Sequence, residues 1–163
     1  MTPDTINYST LQDLTDELLA SKNNVRIYVA GNSMYPHLRQ GDYVTVAKTP
    51  YEKLKVGDII VFKGLYHNVA HRIIKILKTN DGFLILPKGD SSERHDMPIS
   101  EDKYFGKIIS FERNGKKTEL ESSFYKRYNV FLATISPYTP VVYGFVRFFK
   151  HLFCFKKQKV SSL

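Results

Sequence analysis

Residues 58–90 read DIIVFKGLYHNVAHRIIKILKTNDGFLILPKGD, and this stretch decides the fold. Within it, DIIVF (58–62), VAHRIIKIL (69–77) and FLILP (83–87) are short runs of Ile, Val, Leu and Phe. Gly, Asn and Asp punctuate them, which is the pattern of strands joined by turns. Upstream, VRIYVA (25–30) alternates and YVTVA (43–47) follows it. Downstream, YFGKIISFER (104–113) is another strand, and Asn114-Gly115 matches a two-residue hairpin turn into KKTEL (116–120).

These runs predict a mainly β, antiparallel body over residues 25–120. A chain of 163 residues holds one ordinary domain. Many short strands and few helical runs argue against a parallel sheet with crossover helices. A short helix is expected in the N-terminal segment 1–24, from Ser9 to about Ser21. Ser9 can cap it with Gln12 at the capping-box spacing, and Leu11, Leu14 and Leu18 share a face. Residues 121–163 form an apolar and basic tail in which amphipathic helices are expected.

Hydrophobic residues make up 42% and charged residues 25%, values that fit a chain with a real core. The single cysteine, Cys154, excludes an internal disulfide framework and a Cys-rich zinc site, and no cofactor or metal is implied. MTPDTINYST (1–10) lacks the charged-then-apolar pattern of a secretory signal. The formal net charge is +8, but seven basic residues and no acidic ones fall between Lys126 and Leu163. The remaining 17 basic and 16 acidic residues leave the body nearly neutral. A nucleic-acid groove would put its basic patch on the folded body, so nucleic acid is not the expected partner.

The stretch from Tyr128 to Val146 carries no formal charge but is interrupted by Pro137, Pro140 and Gly144. A spanning helix needs about 20 apolar residues, so a simple span is disfavoured. Two readings stay open. One is an interfacial segment, with aromatic rings at headgroup level and basic residues between 126 and 159 facing anionic lipid. The other is a set of amphipathic helices packed on the body or on a second subunit.

Three segments carry side chains suited to chemistry. Gly31-Asn32-Ser33-Met34-Tyr35-Pro36 follows a strand directly. Gly31 permits a sharp turn, Pro36 restricts the chain just beyond, and Ser33 between them could present both a hydroxyl and its backbone N–H. Taken alone, GNSMYP reads equally as a plain turn, because a serine needs a neighbouring base. His71 shares a strand face with Val69 and Ile73, while Ala70 and Arg72 point the other way. It reads as a core histidine or as a general base, since a histidine ordinarily titrates near ~6.5. Gly89-Asp90-Ser91-Ser92-Glu93-Arg94-His95-Asp96 offers two carboxylates that could orient such a base or simply shape a loop.

In order along the chain, GNSMYPHLRQGDYV, YEKLKVGDIIVF, VAHRIIKI, LPKGDSSERHD and FGKIISF resemble the type I signal peptidases. More narrowly, they are similar to the branch found in the endoplasmic reticulum, archaea and some Gram-positive bacteria. The resemblance covers about Val25 to Phe111. It implies a coiled antiparallel β-sheet fold, shared with the LexA-like peptidases, with an open groove that takes a peptide or preprotein as an added strand. It also implies a serine endopeptidase that cuts after a small residue. Ser33 matches the nucleophile of the family's Ser-Met-x-Pro box, His71 the base, and Asp96 the third member. Asp90, after Gly89, matches the Gly-Asp pair that shapes the site, and Gly31, Asn32, Met34, Pro36 and Arg72 support it.

There are departures. Some relatives carry a second oxyanion donor, a serine hydroxyl two positions before the nucleophile; here Gly31 stands there, so either the Asn32 side chain or a backbone group substitutes, or the enzyme is slow. Family members usually begin with a transmembrane helix before the nucleophile box, whereas TLQDLTDELLASKNN (10–24) is polar and acidic. The expected localisation is therefore membrane-associated, through the tail, or cytoplasmic. A peptide-binding module that has lost turnover, and a cytosolic maturation protease, are the alternatives.

Overall fold

A computed structural model describes residues 24–136, apart from 66 and 81. The helix expected over Ser9–Ser21 and the tail from residue 137 lie outside the described residues. The body is one antiparallel sheet of seven strands. They are β1 (Asn24–Tyr28), β2 (Tyr43–Ala47), β3 (Ile59–Lys63), β4 (Asn68–Thr79), β5 (Gly82–Lys88), β6 (Tyr104–Arg113) and β7 (Lys116–Glu119). The spatial order is β1-β2-β6-β3-β4-β5, with β7 paired to β6. One α-helix, α1 (Ser123–Ile135), follows the last strand. The mainly β, antiparallel expectation agrees with this architecture.

β3 shows why the continuous run Ile59–Phe62 is apolar. Ile59 and Val61 enter one buried cluster with Met34, Leu38, Val44, Val46, Ile108 and Phe111. Ile60 and Phe62 enter a second cluster with Tyr51, Leu54, Ile73, Ile85 and Ile99. A strand buried on both faces has no polar alternation, and each such side chain contributes about 1.5–3 kcal/mol on burial. β4 pairs with β3 so that His71 faces Ile60 and Arg72 faces Ile59. The adjacent His71 and Arg72 are therefore sent to opposite faces at the middle of the sheet.

The turns obey local chemistry. Asn114 and Gly115 both have positive φ, at 51° and 74°, as a two-residue hairpin turn of the primed type requires. Helix α1 is capped by Ser122, whose hydroxyl oxygen accepts from the Tyr125 N–H. Its backbone rests on Gly57 (φ 99°), where a β-carbon would lie 2.9 Å from the Val130 nitrogen. Asn129 and Ala133 are buried beneath the helix, while Phe124, Phe131 and Ile135 are exposed.

Candidate active site

Ser33 lies on the turn that leaves β1. Asn32 shapes this turn: its carbonyl accepts from the Tyr35 N–H at 3.0 Å, and its Oδ1 accepts from the Gln40 N–H at 3.2 Å. Met34 is buried in the first core cluster and anchors the turn from below. Pro36 follows a cis peptide bond from Tyr35. Gly31 is exposed, and a β-carbon there would meet nothing within 4 Å. Ser33 itself is half-buried.

His71 comes from the middle of β4 and packs edge-on against the Phe62 ring. Its Nδ1 lies 2.5 Å from Asp96 Oδ2. An ionised carboxylate only accepts, which assigns the proton to Nδ1 and leaves a lone pair on Nε2. Asp96 is held from both sides: its N–H donates to the Pro87 carbonyl at 2.9 Å, and nearby Ile99 bridges to Ile85 on β5. The Tyr51 hydroxyl donates to the Ile99 carbonyl at 2.8 Å, within the second core cluster.

Gly89 joins nucleophile turn and base. A β-carbon at this position would lie 2.7 Å from the Ser33 carbonyl oxygen and 3.0 Å from His71 Nε2. The free nitrogen of the imidazole and the backbone of Ser33 therefore converge on one point. The loop after Gly89 ties down the serine turn as well. The Ser91 N–H donates to the Ser33 carbonyl at 2.9 Å, and the Ser91 hydroxyl donates to the Asn32 carbonyl at 2.8 Å.

On the opposite face of β4, Arg72 is fully buried. Its Nε and Nη2 donate to the two oxygens of Asp90 at 2.8 and 2.7 Å, a bidentate pair. Its Nη1 donates to the Gly57 carbonyl at 3.0 Å and to Asn129 Oδ1 at 2.9 Å. Asp90 thus fixes the loop that carries Asp96, with its own carboxylate committed to Arg72. Lys88, across the ladder from Arg72, is buried, and burial pulls its ammonium pKa below the ordinary lysine value while Asp90 opposes the shift.

The structure thus brings Ser33, His71, Gly89 and Asp96 to one place, places Arg72 and Asp90 behind it, and puts Asn32, Met34 and Pro36 in the turn that presents the serine. Sequence reasoning missed Asn129, whose partner lies 57 residues away. It also missed His37, which stacks on Tyr128 with ring centroids 5.6 Å apart. Burial first, and the Arg72 charge second, push the His37 pKa down to about 4. Asp42, just before β2, also supports the serine turn. Burial alone would raise its pKa, but hydrogen bonds from Arg113 and from the Arg39 N–H hold it below the usual carboxylate value. The Arg113–Asp42 pair and the bond from Arg113 to the His37 carbonyl, both built on β6, brace the base of the serine turn. No group of three or more metal-ligating side chains occurs among the described residues.

Residues 4–109 match the model of the Peptidase S24-like family. The chain belongs to that family. Among characterised relatives of this S24-like chain, signal peptidase I W of Bacillus subtilis (strain 168) is 31% identical over 87 residues, 52% of this chain and 46% of that protein. The signal peptidase complex catalytic subunit SEC11C is 29% identical over 82 residues in both Homo sapiens and Canis lupus familiaris. That alignment covers 48% of this chain and 43% of each SEC11C protein. The matched region thus spans less than half the length of these relatives. The family is one of peptidases, and the chain is similar in sequence to signal peptidases over its matched region. None of its described helices is long and apolar enough to cross a membrane.

Proposed function

We propose that the chain is a serine endopeptidase of the signal peptidase I type, cutting an extended peptide after a small residue. The observation that carries this reading is the His71–Asp96 bond of 2.5 Å with Nε2 turned toward the serine turn across Gly89. Asp96 holds the imidazole in the tautomer that leaves Nε2 free to accept a proton. Ser33 Oγ attacks the scissile carbonyl and its proton passes to Nε2. Collapse of the tetrahedral species returns that proton to the leaving amine, and water then repeats the sequence on the acyl-serine. The Ser33 N–H is the proposed oxyanion donor.

The substrate enters as a strand. Among the described residues β1 is an outer strand of the sheet and leads through Val29-Ala30 into Gly31-Asn32-Ser33, so a peptide laid along that edge delivers its backbone to the serine. The Ala-sized preference follows from the resemblance to signal peptidases, with Tyr35 and the apolar residues before Gly31 lining the subsites. Peripheral contact with anionic lipid belongs to the same reading. The exposed Phe124, Phe131 and Ile135 lie seven and four residues apart on α1, beside exposed Lys126 and Arg127.

The test is cleavage of an alanine-containing signal-peptide-like substrate by the full chain in the presence of anionic vesicles. Ser33→Ala and His71→Ala each abolish cleavage if the reading holds. Cleavage that survives Ser33→Ala removes the nucleophile assignment. Peptide binding without turnover by the unsubstituted chain makes it a binding module instead.

A further inference from the structure

Helix α1 begins beyond the family-matched residues 4–109, yet its inner face is built into the support of the site. It touches both halves of the candidate centre. Tyr128 stacks on His37, in the turn that carries Ser33. Asn129 Oδ1 accepts from Arg72 Nη1 at 2.9 Å, on the residue next to His71. Arg72 is 0% exposed and Asn129 7%, so water has little access to this bond.

Every polar hydrogen that the buried guanidinium aims at this junction has an acceptor: both Asp90 oxygens, the Gly57 carbonyl and Asn129 Oδ1. The four bonds fix the plane of the guanidinium and, through the bidentate pair, the loop 89–96. Removing the Asn129 oxygen leaves a buried charged donor short of a partner, which the structure relieves only by moving Arg72, α1 or both. Any tilt of Arg72 carries Asp90, and the loop that presents Asp96 to His71 moves with it.

We propose that Asn129 is a positioning residue of the catalytic centre: helix α1, outside the family-matched segment, sets the Arg72–Asp90 pair and thereby the His71–Asp96 geometry. This rests on the proposed Ser33/His71/Asp96 centre. Asn129→Leu removes the acceptor at similar volume, and Asn129→Asp keeps an oxygen at the same place.

The experiment compares the full chain with both variants in the peptide-cleavage assay. In parallel, the downfield imidazole N–H proton resonance of His71 is followed by NMR, assigned by its loss in Asp96→Asn. Asn129→Leu is expected to lower kcat by about 10–100-fold, the scale of a misplacement near 1 Å, with KM within about twofold. The His71 resonance moves upfield, and Asn129→Asp restores both. If Asn129→Leu does not fold, the smaller apolar Asn129→Val, which also removes the acceptor, takes its place. Unchanged kcat and resonance overturn the proposal. So does a loss of rate that follows only the unfolded fraction while the resonance stays put. The resonance is also read in a Ser33→Ala background, where no turnover is required. A protease reading that failed would thus leave the positioning test intact, and the reverse.

Discussion

Gly89→Ala is a one-carbon test of the site geometry. Gly89 needs no left-handed backbone, so the effect of a methyl group there is purely one of space. The new carbon would lie 2.5 Å from Ser92 Oγ, 2.7 Å from the Ser33 carbonyl oxygen and 3.0 Å from His71 Nε2. The Ser92 hydroxyl can rotate away. The carbonyl cannot, because it is backbone and already accepts from the Ser91 N–H at 2.9 Å. To reach an ordinary contact it must retreat from 2.7 to 3.4 Å, about 0.7 Å. That shift moves the Ser33 backbone relative to the His71 imidazole. Misplacement on the order of 1 Å costs roughly 100-fold in rate, while overpacking of this kind costs about 1–3 kcal/mol of stability. Steady-state cleavage at a temperature well below the melting transition separates the two effects. Gly89→Ala should then fold, bind peptide with little change in KM, and lose most of its kcat. A variant that folds and cuts at the unsubstituted rate would refute the convergence of serine turn and imidazole on this glycine.

Three further outcomes follow from the same geometry. Gly31→Ser adds a hydroxyl where a β-carbon meets nothing within 4 Å; if it supplies the oxyanion donor found in some relatives, kcat rises, by up to roughly 100-fold, and an unchanged or lower kcat argues against that placement. Asp90→Asn keeps the shape but breaks the pairing of the fully buried Arg72, so urea unfolding should report a loss of about 3–5 kcal/mol; a loss under about 1 kcal/mol would place the pair in solvent. His37 is neutral when folded, with its pKa pushed down to about 4 by burial, while an unfolded histidine titrates near about 6.5. Between those values the unfolded chain binds a proton that the folded one refuses, so stability is complete above the upper value and falls on acidification. His37→Phe should flatten that slope, worth up to about 3 kcal/mol, and a slope unchanged by the substitution would remove His37 as its source.

The strands were legible because their signals are local. YVTVA (43–47) and YFGKIISFER (104–113) coincide with β2 and β6, and alternation or a continuous apolar run suffices to mark such segments. β4 extends to Asn68 and Thr79 beyond the apolar core of its run, since pairing with β3 and β5 continues where the pattern has stopped. From the residues alone the three site segments could be picked out singly, and only the resemblance implied their meeting. Ser33 and Ser91 are brought together by the sheet, with no periodic signal connecting them. The region after Lys126 was legible as helical but not in its packing. Tyr128 to Val146 had two open readings as an uncharged stretch, and its first residues, through Ile135, form part of a capped helix packed on Gly57. Asn129 gave no hint of its role, because a polar residue on the buried face of a helix is informative only once its distant partner is known.

The Arg72–Asn129 bond also orders events in time. A ribosome delivers the serine, the histidine and both aspartates well before residue 129 emerges, and the chain between them can already collapse around β3. Until the helix arrives, one guanidinium donor in that collapsed body lacks an acceptor it will later have. Translation of α1 therefore completes the support behind the proposed centre, whose serine, histidine and aspartates were made earlier.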